Sequence, residues 1–323
     1  MKMIDTNDLR EAIKELFDDS KVDLFLGWEK GTLPLSATPL FITAGDDAEK
    51  AVFDITCGNN LSIYFTKDRK QYADSKVGIA VKGCDARSLV LNILEKQIDR
   101  ENVVIVGVPC HGVLDKKKVL AKTGGKEVLD LIDEGDKVTL KGKGYELSVD
   151  RSEILSSSCL ACIYPDAQEY DIFIGEARAE IQNENRLKEI KDIEALSSAE
   201  RWELTRTEYE KCIRCYACRN ACPSCYCNVC FVDQNDPGWI GNTCEFTDTM
   251  IFHVIRNLHV AGRCVECGAC ERACPMDINL LFLNRKVAME VKDRFGDIAG
   301  LDISGKPAMV DFKEDEKQDF IMG

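Results

Sequence analysis

The sequence predicts an α/β N-terminal domain with a partly parallel sheet, followed by a mainly helical and cysteine-rich domain. Two short apolar strands flank a helical segment between residues 76 and 109, which is typical of a parallel sheet. Twelve of the 17 cysteines lie between Cys212 and Cys274, and a highly charged stretch precedes them. We therefore expect a first domain, a charged connector, a second domain and an acidic tail, over residues 1–180, 181–200, 201–298 and 299–323.

The first domain begins with an amphipathic helix and continues with strands. Thr6 to Asp18 repeats apolar residues at helical spacing, which places four on one face: Leu9, Ile13, Leu16 and Phe17. The segments VDLFLGW and LSIYF are rich in apolar and aromatic residues, so both are predicted to be short strands.

A βαβ unit follows these segments. The apolar strands KVGIAVK and NVVIVGVP flank a helix over residues 86–97, so the two strands are expected to be parallel and buried on both faces. Further along, KVTLKGKGYELSV predicts a hairpin with Gly142 and Gly144 at its turn.

Net charge, the length of the apolar runs and the number of cysteines exclude several classes of partner and location. The formal net charge of −14 disfavours nucleic acid or an anionic membrane surface as a partner. The longest apolar run, VVIVGV, is too short for insertion across a membrane, and the acidic N-terminal segment does not resemble a secretory signal. We therefore expect a cytoplasmic chain, in which an odd number of cysteines indicates metal ligands rather than a disulfide framework.

Two four-cysteine runs of identical spacing carry the strongest signal. They are CIRCYACRNACP, from Cys212 to Pro223, and CVECGACERACP, from Cys264 to Pro275. Three thiolates two residues apart can line a loop around one cubane, while the fourth, before a proline, points away from that loop. Zinc ribbons are the alternative, but they use paired Cys-x-x-Cys hooks instead of such runs. The spacing therefore favours iron–sulfur clusters.

These runs resemble those of two-cluster ferredoxins, which implies a two-cluster ferredoxin-type domain. In that resemblance, three cysteines of each run bind one 4Fe–4S cluster and the fourth binds the cluster of the other run. One cluster would then be held by Cys212, Cys215, Cys218 and Cys274. The other would be held by Cys264, Cys267, Cys270 and Cys222.

The interval between the runs is longer than in small ferredoxins and contains a predicted helix. Its sequence, FTDTMIFHVIRNLHVAG, places five apolar residues on one face: Met250, Ile251, Val254, Ile255 and Leu258. We interpret His253 and His259 on this helix as packing or hydrogen-bonding residues rather than ligands.

A third 4Fe–4S cluster is predicted in the first domain. Cys84 and Cys110 each follow one strand of the βαβ unit, and ligand sites of open α/β sheets lie beyond the carboxyl ends of the strands. A Cys-x-x-Cys hook, Cys159 and Cys162, supplies two more thiolates, so that four could hold one cluster. The alternative is that Cys84 and Cys110 are buried apolar residues, as free cysteines often are.

The motifs GCDAR, VGVPCHG and CLACIYPDAQEYDIFIGE resemble the β subunits of deazaflavin-reducing hydrogenases and formate dehydrogenases. The segment CIRCYACRNACPSCYCNVC is similar to sulfhydrogenase β subunits and to the A subunit of anaerobic sulfite reductases. HVAGRCVECGACERACPMDI is similar to heterodisulfide-reductase-associated subunits of anaerobes. The resemblance covers residues 76–285 and implies electron transfer among the subunits of an oxidoreductase complex.

Some of these subunits bind FAD and reduce the deazaflavin. This chain lacks a Gly-x-Gly-x-x-Gly fingerprint after a strand, and its first domain begins only ~75 residues before the first motif. If a flavin binds here, Lys82, Gly83 and Asp85 are the positions at which we expect contacts.

The remaining cysteines allow two interpretations. Cys225, Cys227, Cys230 and Cys244 form either a further metal site or a cysteine-rich shell around the clusters. Cys57 stands alone and is predicted to lie in the core. The lysine run at residues 116–118 is expected to be a solvated charge run unless a partner covers it.

Three functions compete. The first is an iron–sulfur electron-transfer subunit that relays single electrons between a flavin-bearing partner and a hydrogenase, formate dehydrogenase or reductase partner. The second is a flavin-containing subunit that itself reduces a deazaflavin or nicotinamide coenzyme. The third is an adaptor in which the metal sites serve only a structural role.

Overall fold

A five-stranded mixed sheet forms the centre of the first part of the chain. The computed structural model describes residues 6–67, 75–178, 180–183, 186–308 and 310. Its strands are β1 (Leu24–Lys30), β2 (Ala37–Ile42), β3 (Val77–Val81), β4 (Val103–Gly107), β5 (Asp130–Asp133), β6 (Lys137–Gly142), β7 (Tyr145–Asp150) and β8 (Ile172–Phe173). The central sheet has the order β2-β1-β3-β4-β8, with β1 and β2 antiparallel and the other pairs parallel. The partly parallel sheet is thus confirmed.

The predicted βαβ unit is present. Helix α3 (Gly83–Leu94) connects β3 to β4, and every residue of β3 is buried. Helix α1 (Thr6–Asp18) contributes Leu9, Ile13 and Leu16 to the same apolar core, as its periodicity predicts. The carboxyl ends of β3 and β4 therefore open at the same edge of a buried sheet.

The prediction that LSIYF forms a strand is wrong. Ser62–Lys67 forms helix α2 instead. The Asn60 side-chain oxygen accepts hydrogen bonds from the Ser62 backbone N–H (3.2 Å) and hydroxyl (2.6 Å), which provides partners at the start of the helix. In addition, β1 and β4 already occupy both edges of β3, so the central sheet offers this segment no place there.

A smaller antiparallel sheet, β5-β6-β7, packs beside helices α4 (Lys116–Lys122) and α5 (Arg151–Ile154) around a second apolar cluster. The predicted hairpin is its β6-β7 pair. Gly142 pairs with Tyr145 at the end of the ladder, and Gly144 lies in the turn with φ of +77°.

The second part of the chain is helical, as predicted. Its helices are α7 (Lys188–Glu194), α8 (Ser198–Glu210), α9 (Ala217–Asn220), α10 (Phe246–His259), α11 (Ala269–Ala273) and α12 (Leu281–Phe295), while the short α6 (Ser157–Leu160) precedes β8 in the first part. Among the described helices, none combines the length and apolar content needed to cross a bilayer. Of the predicted acidic tail, residues 309 and 311–323 lie outside the described residues. The predicted domain bounds stay predictions.

Helix α10 faces the opposite way from a usual amphipathic helix. Its predicted apolar face is turned outwards, and Leu258 on that face is 62% exposed. The buried face instead carries Thr249, Phe252, His253, Arg256 and Asn257. The rings of His253 and Tyr209 stack at 4.5 Å, in line with the packing role predicted for that histidine. The polar inner face meets the cysteine loops described below.

Candidate metal centres

The two cysteine runs adopt the same backbone conformation. In the first run Arg214 and Tyr216 have left-handed φ angles of 54° and 58°. The equivalent residues of the second run, Glu266 and Gly268, have φ angles of 59° and 71°. A side chain at Gly268 would lie only 2.4 Å from the Ser158 hydroxyl, so the second loop requires glycine there. Both loops then enter short helices, α9 and α11, at corresponding positions.

The structure brings the first predicted set of cysteines together. Burial raises the pKa of the Cys212 thiol, and the nearby Cys218, Cys274 and Cys215 raise it further. Cys274 comes from the second run, so the two runs cross as the ferredoxin resemblance implies. That these four thiols hold a cluster stays a prediction.

The second predicted set shows the reciprocal crossing. Burial raises the pKa of Cys270, and Cys222 and Cys267 add to that effect. Cys264 has its pKa raised by burial and by Glu266, Cys270 and Cys222. Cluster ligands must be thiolates, so assembly at these sites has to release the protons that burial now favours.

The third predicted set lines one cavity of about 180 Å³. Cys84 begins α3 and Cys110 follows β4, so both lie at the carboxyl edge of the central sheet. The hook residues Cys159 and Cys162 close the cavity from the segment around α6. Burial raises the pKa of Cys110, and Cys159 and Cys162 raise it further. The topological argument for their proximity is therefore correct, and a four-sulfur donor set fits a 4Fe–4S cluster.

Backbone N–H groups point at the cysteine sulfurs. Gly112 N–H donates to Cys110 Sγ (3.4 Å), and Val113 N–H donates to Cys159 Sγ (3.3 Å). In the first run, Arg214 N–H donates to Cys212 Sγ (3.4 Å). Such bonds stabilise negative charge on sulfur and tune the potential of a bound cluster.

An ion pair between the partly exposed Arg178 and the buried Asp166, which the sequence analysis missed, fixes the Cys110 loop. Asp166 is fully buried and accepts a hydrogen bond from the Cys110 backbone N–H (2.9 Å). Arg178 donates to both Asp166 oxygens (2.7 and 2.8 Å) and to the Cys110 carbonyl (2.6 Å). The Pro-Asp turn in the sequence was the available signal, but its partner Arg178 is twelve residues away.

The three residues suggested for flavin contacts are packed into the fold. Lys82 is buried, forms a 2.8 Å ion pair with Asp85, and lines the cavity that holds Cys84. A side chain at Gly83 would lie 2.2 Å from the Tyr164 carbonyl oxygen, so glycine is required by close packing. Their assignment to flavin stays a prediction.

The cysteine sites adjoin one another and a larger cavity. Cys267 of the second run also lines the 180 Å³ cavity, and Cys267 raises the pKa of Cys84, although less than burial and Asp85 do. A second cavity, of about 1180 Å³, is lined by Cys215 and Cys274 of the first set. Arg272 lines both cavities.

The lysine run at residues 116–118 lies on the wall of the larger cavity. Lys116 donates to the Ser36 hydroxyl (2.5 Å), Lys117 pairs with Asp277 (2.7 Å), and Lys118 donates to a backbone carbonyl. The predicted solvated run is therefore tied to the protein by all three side chains.

The leftover cysteines are more scattered. Cys227 and Cys244 are exposed, whereas Cys225 and Cys230 are half-buried and Cys57 lies in the first core. Within the described ranges, no three His, Cys, Asp or Glu side chains converge at the spacing of a single ion. The further metal site at Cys225, Cys227, Cys230 and Cys244 stays a prediction.

Known proteins support the resemblance to deazaflavin-linked complexes. The chain is 25% identical to the F420-dependent formate dehydrogenase subunit beta of Methanocaldococcus jannaschii, over 91% of each chain. It is also 25% identical to the F420-dependent formate dehydrogenase 1 subunit beta of Methanococcus maripaludis, over 92% of this chain and 91% of the relative. These matches confirm the resemblance drawn from the first-domain motifs. No protein-family model matches the sequence.

A solved structure of the F420-reducing NiFe hydrogenase complex from Methanosarcina barkeri also matches. The TM-score is 0.38 and the identity 15%, over 52% of this chain and 64% of that chain.

Proposed function

We propose that this chain is the iron–sulfur electron-transfer subunit of a multi-subunit anaerobic oxidoreductase. It would relay single electrons between a flavin-bearing partner and a hydrogenase, formate dehydrogenase or reductase partner. The observation that carries the proposal is the proximity of the cysteine groups: Cys267 lines the first-domain cavity, Cys274 lies near Cys212, and Cys222 lies near Cys270. The two formate dehydrogenase relatives support the same class of protein.

The chain's own residues would prepare each site. When bound, 4Fe–4S clusters supply one-electron redox chemistry. The thiolates of the three sets would hold them, the N–H donors to Cys110, Cys159 and Cys212 would stabilise sulfur charge, and the surrounding packing would limit water access. Under this proposal the domains are 1–180, with the third site, and 201–298, with the ferredoxin-type sites, joined by residues 181–200 and followed by the tail 299–323. A cytoplasmic location belongs to the same proposal.

Anaerobic purification of the tagged full chain from its own source tests this function. We expect a flavin- or metal-bearing oxidoreductase to co-purify and about twelve iron atoms per chain, four for each of three cubanes. Within that complex, Cys267→Ser should abolish electron transfer, while Cys57→Ser, in the apolar core, should leave it intact. Recovery as a monomer that turns over its own substrate would contradict the relay. A complex that transfers electrons at full rate with Cys267→Ser would favour the structural adaptor.

The larger cavity supports a second candidate, a subunit that carries flavin and reduces a deazaflavin or nicotinamide coenzyme. Its volume of about 1180 Å³ suits a large cofactor, and it combines a lysine-bearing wall with Cys215 and Cys274. A flavin assay of the anaerobically isolated chain separates the two candidates, because only the second retains flavin. Lys116→Glu on the cavity wall should then reduce flavin retention, whereas Lys122→Glu on the same helix, paired with Glu153 away from the cavity, should not.

A further inference from the structure

Arg256 lies on the buried face of α10 with only 4% of its surface exposed. In the described part of the chain, its guanidinium donates one hydrogen bond, from Nη2 to the Cys218 carbonyl (3.2 Å), and Nε has no partner. Among the described residues, no carboxylate lies within ion-pairing distance of its guanidinium. Burying an unpaired cation costs several kcal/mol, so the surroundings must supply compensating negative charge.

Cysteines from both runs, together with Cys225, Tyr209 and His253, lie near Arg256. Its guanidinium interacts electrostatically with Cys270 and Cys222, of the second set, and with Cys218, of the first. Burial raises the pKa of both Cys218 and Cys270, and in each case Arg256 is the largest opposing influence. This arginine therefore sits between two groups of potential thiolates, on the side of α10 that an ordinary amphipathic helix would fill with apolar residues.

We propose that Arg256 is the shared counter-charge of the two ferredoxin-type sites and raises both reduction potentials together. The proposal rests on the clusters of the proposed function being bound. A reduced cluster carries one more negative charge than an oxidised one, so a nearby cation favours reduction. Because Arg256 is buried, water and salt screen it less than an exposed charge.

Arg219 differs from Arg256 because it has a carboxylate partner. Arg219, on α9, adjoins the first run alone and forms a 2.7 Å ion pair with the half-exposed Asp233. Its charge is therefore already balanced and partly screened. Arg219→Gln serves as a matched control, since it removes the same group near the same loop.

The experiment uses the anaerobic full chain. Iron and sulfide analysis of the wild type comes first, because a chain without clusters would contradict the proposed function itself. Redox titration followed by electron paramagnetic resonance then measures both ferredoxin-type potentials. In Arg256→Gln we expect the equilibrium constant for one-electron reduction of each cluster to fall at least tenfold. This corresponds to a fall of at least ~59 mV in both reduction potentials. Arg256→Lys should keep most of the wild-type values, and Arg219→Gln should shift at most the first.

The iron content and the two potentials of the Arg256 variants together test the shared counter-charge. If iron is retained in Arg256→Gln and one potential or neither moves, the shared counter-charge is overturned. Should Arg256→Gln lose iron, retention in Arg256→Lys supports a need for positive charge at this position. Loss of iron from both variants shows that only the shape of arginine matters and also overturns the proposal.

Discussion

The two parts of this molecule bury different kinds of side chain. Around the five-stranded sheet the core is apolar, with Phe25, Trp28 and Ile79 fully buried. Around α10 the buried set includes cysteines together with His253 and Arg256. Among the described residues, both ring nitrogens of His253 and Nε of Arg256 have no hydrogen-bond partner. The first part can fold on apolar burial, whereas the second depends on charges that compensate its polar interior.

The third cysteine site combines features of both parts. Its four cysteines come from three separate segments of the chain and not from one run. The rigid sheet edge places Cys84 and Cys110, and the hook of Cys159 and Cys162 folds over them. We therefore expect this site to fail independently of the ferredoxin-type sites.

The largest expected effect is that of Cys84→Ser. Intact chain should hold ~12 iron atoms, and this variant should lose about four of them, because three thiolates cannot fully ligate a cubane. Both ferredoxin-type clusters should survive, since residues 212–274 contain all of their ligands. Iron analysis and electron paramagnetic resonance provide the measurement. An intact chain with about eight iron atoms, unchanged by the substitution, would show that these cysteines only pack.

Removal of the Asp166 carboxylate should have the next largest effect. Asp166→Ala leaves Arg178 and the Cys110 N–H without their acceptor at a fully buried position, so we expect a loss of about 3 kcal/mol in the free energy of unfolding. Denaturant unfolding under anaerobic conditions measures it. Asp192→Ala, at the exposed Lys188 pair, should cost less than about 0.5 kcal/mol. Equal losses in the two variants would be incompatible with a clamping role for Asp166.

Sequence reasoning succeeded where the signal was local or topological. The βαβ unit predicts that Cys84 and Cys110 share one sheet edge, and both line one cavity. The resemblance to two-cluster ferredoxins implies that Cys274 and Cys222 exchange between the runs, and Cys274 lies near Cys212 while Cys222 lies near Cys270. The first conclusion follows from the geometry of parallel strands, and the second is what the ferredoxin resemblance implies.

The wrong and missed predictions depend on tertiary contacts, which the order of residues in the sequence does not show. LSIYF forms a helix because Asn60 supplies partners at its start, and neighbouring strands already flank β3. Arg256 was missed because a lone arginine in a helix normally indicates a solvated face. Here the polar face of α10 packs against the cysteine loops, so the apolar residues of the helix face outwards.

The polar interior around α10 also predicts a pH dependence. Burial, with Arg256 and Arg214 nearby, lowers the pKa of His253 from 6.5 to about 3. Between these values the unfolded chain binds a proton that the folded chain does not, so the free energy of unfolding falls as the pH falls. From pH 7.5 to 5.5 the contribution is on the order of 1 kcal/mol.

Denaturant unfolding at these two pH values, on the anaerobic protein, tests this expectation. His253→Phe keeps a ring to stack on Tyr209 but cannot titrate, so its stability should fall less than that of the wild type over this range. His259→Phe, on the exposed end of the same helix, is the control. If the wild type and His253→Phe lose equal stability, the buried histidine does not contribute.

The smallest expected effect separates the two runs themselves. Their equivalent left-handed positions carry opposite charges, Arg214 in the first and Glu266 in the second. In the sequence, two further positively charged residues, Lys211 and Arg219, lie beside or within the first run. In the structure, however, these two pair with Glu208 and Asp233, so their charges are offset.

Arg214 is the charge that remains. It is buried, its guanidinium donates to the Tyr216 hydroxyl (2.9 Å), and no carboxylate of the described residues lies within ion-pairing distance. Glu266 is itself paired with Arg186 (2.5 Å), so it lowers the second potential only weakly. Arg272 places a comparable charge beside Cys267 of the second set, so the test concerns only the effect of Arg214 on the potential of the first set. In a redox titration, Arg214→Gln should lower the potential of the first set alone. We expect a fall of less than ~59 mV, which is less than a tenfold change in the equilibrium constant for one-electron reduction. An unchanged or raised first potential would reject the charge argument, and a fall in both potentials would assign to Arg214 the shared role proposed for Arg256.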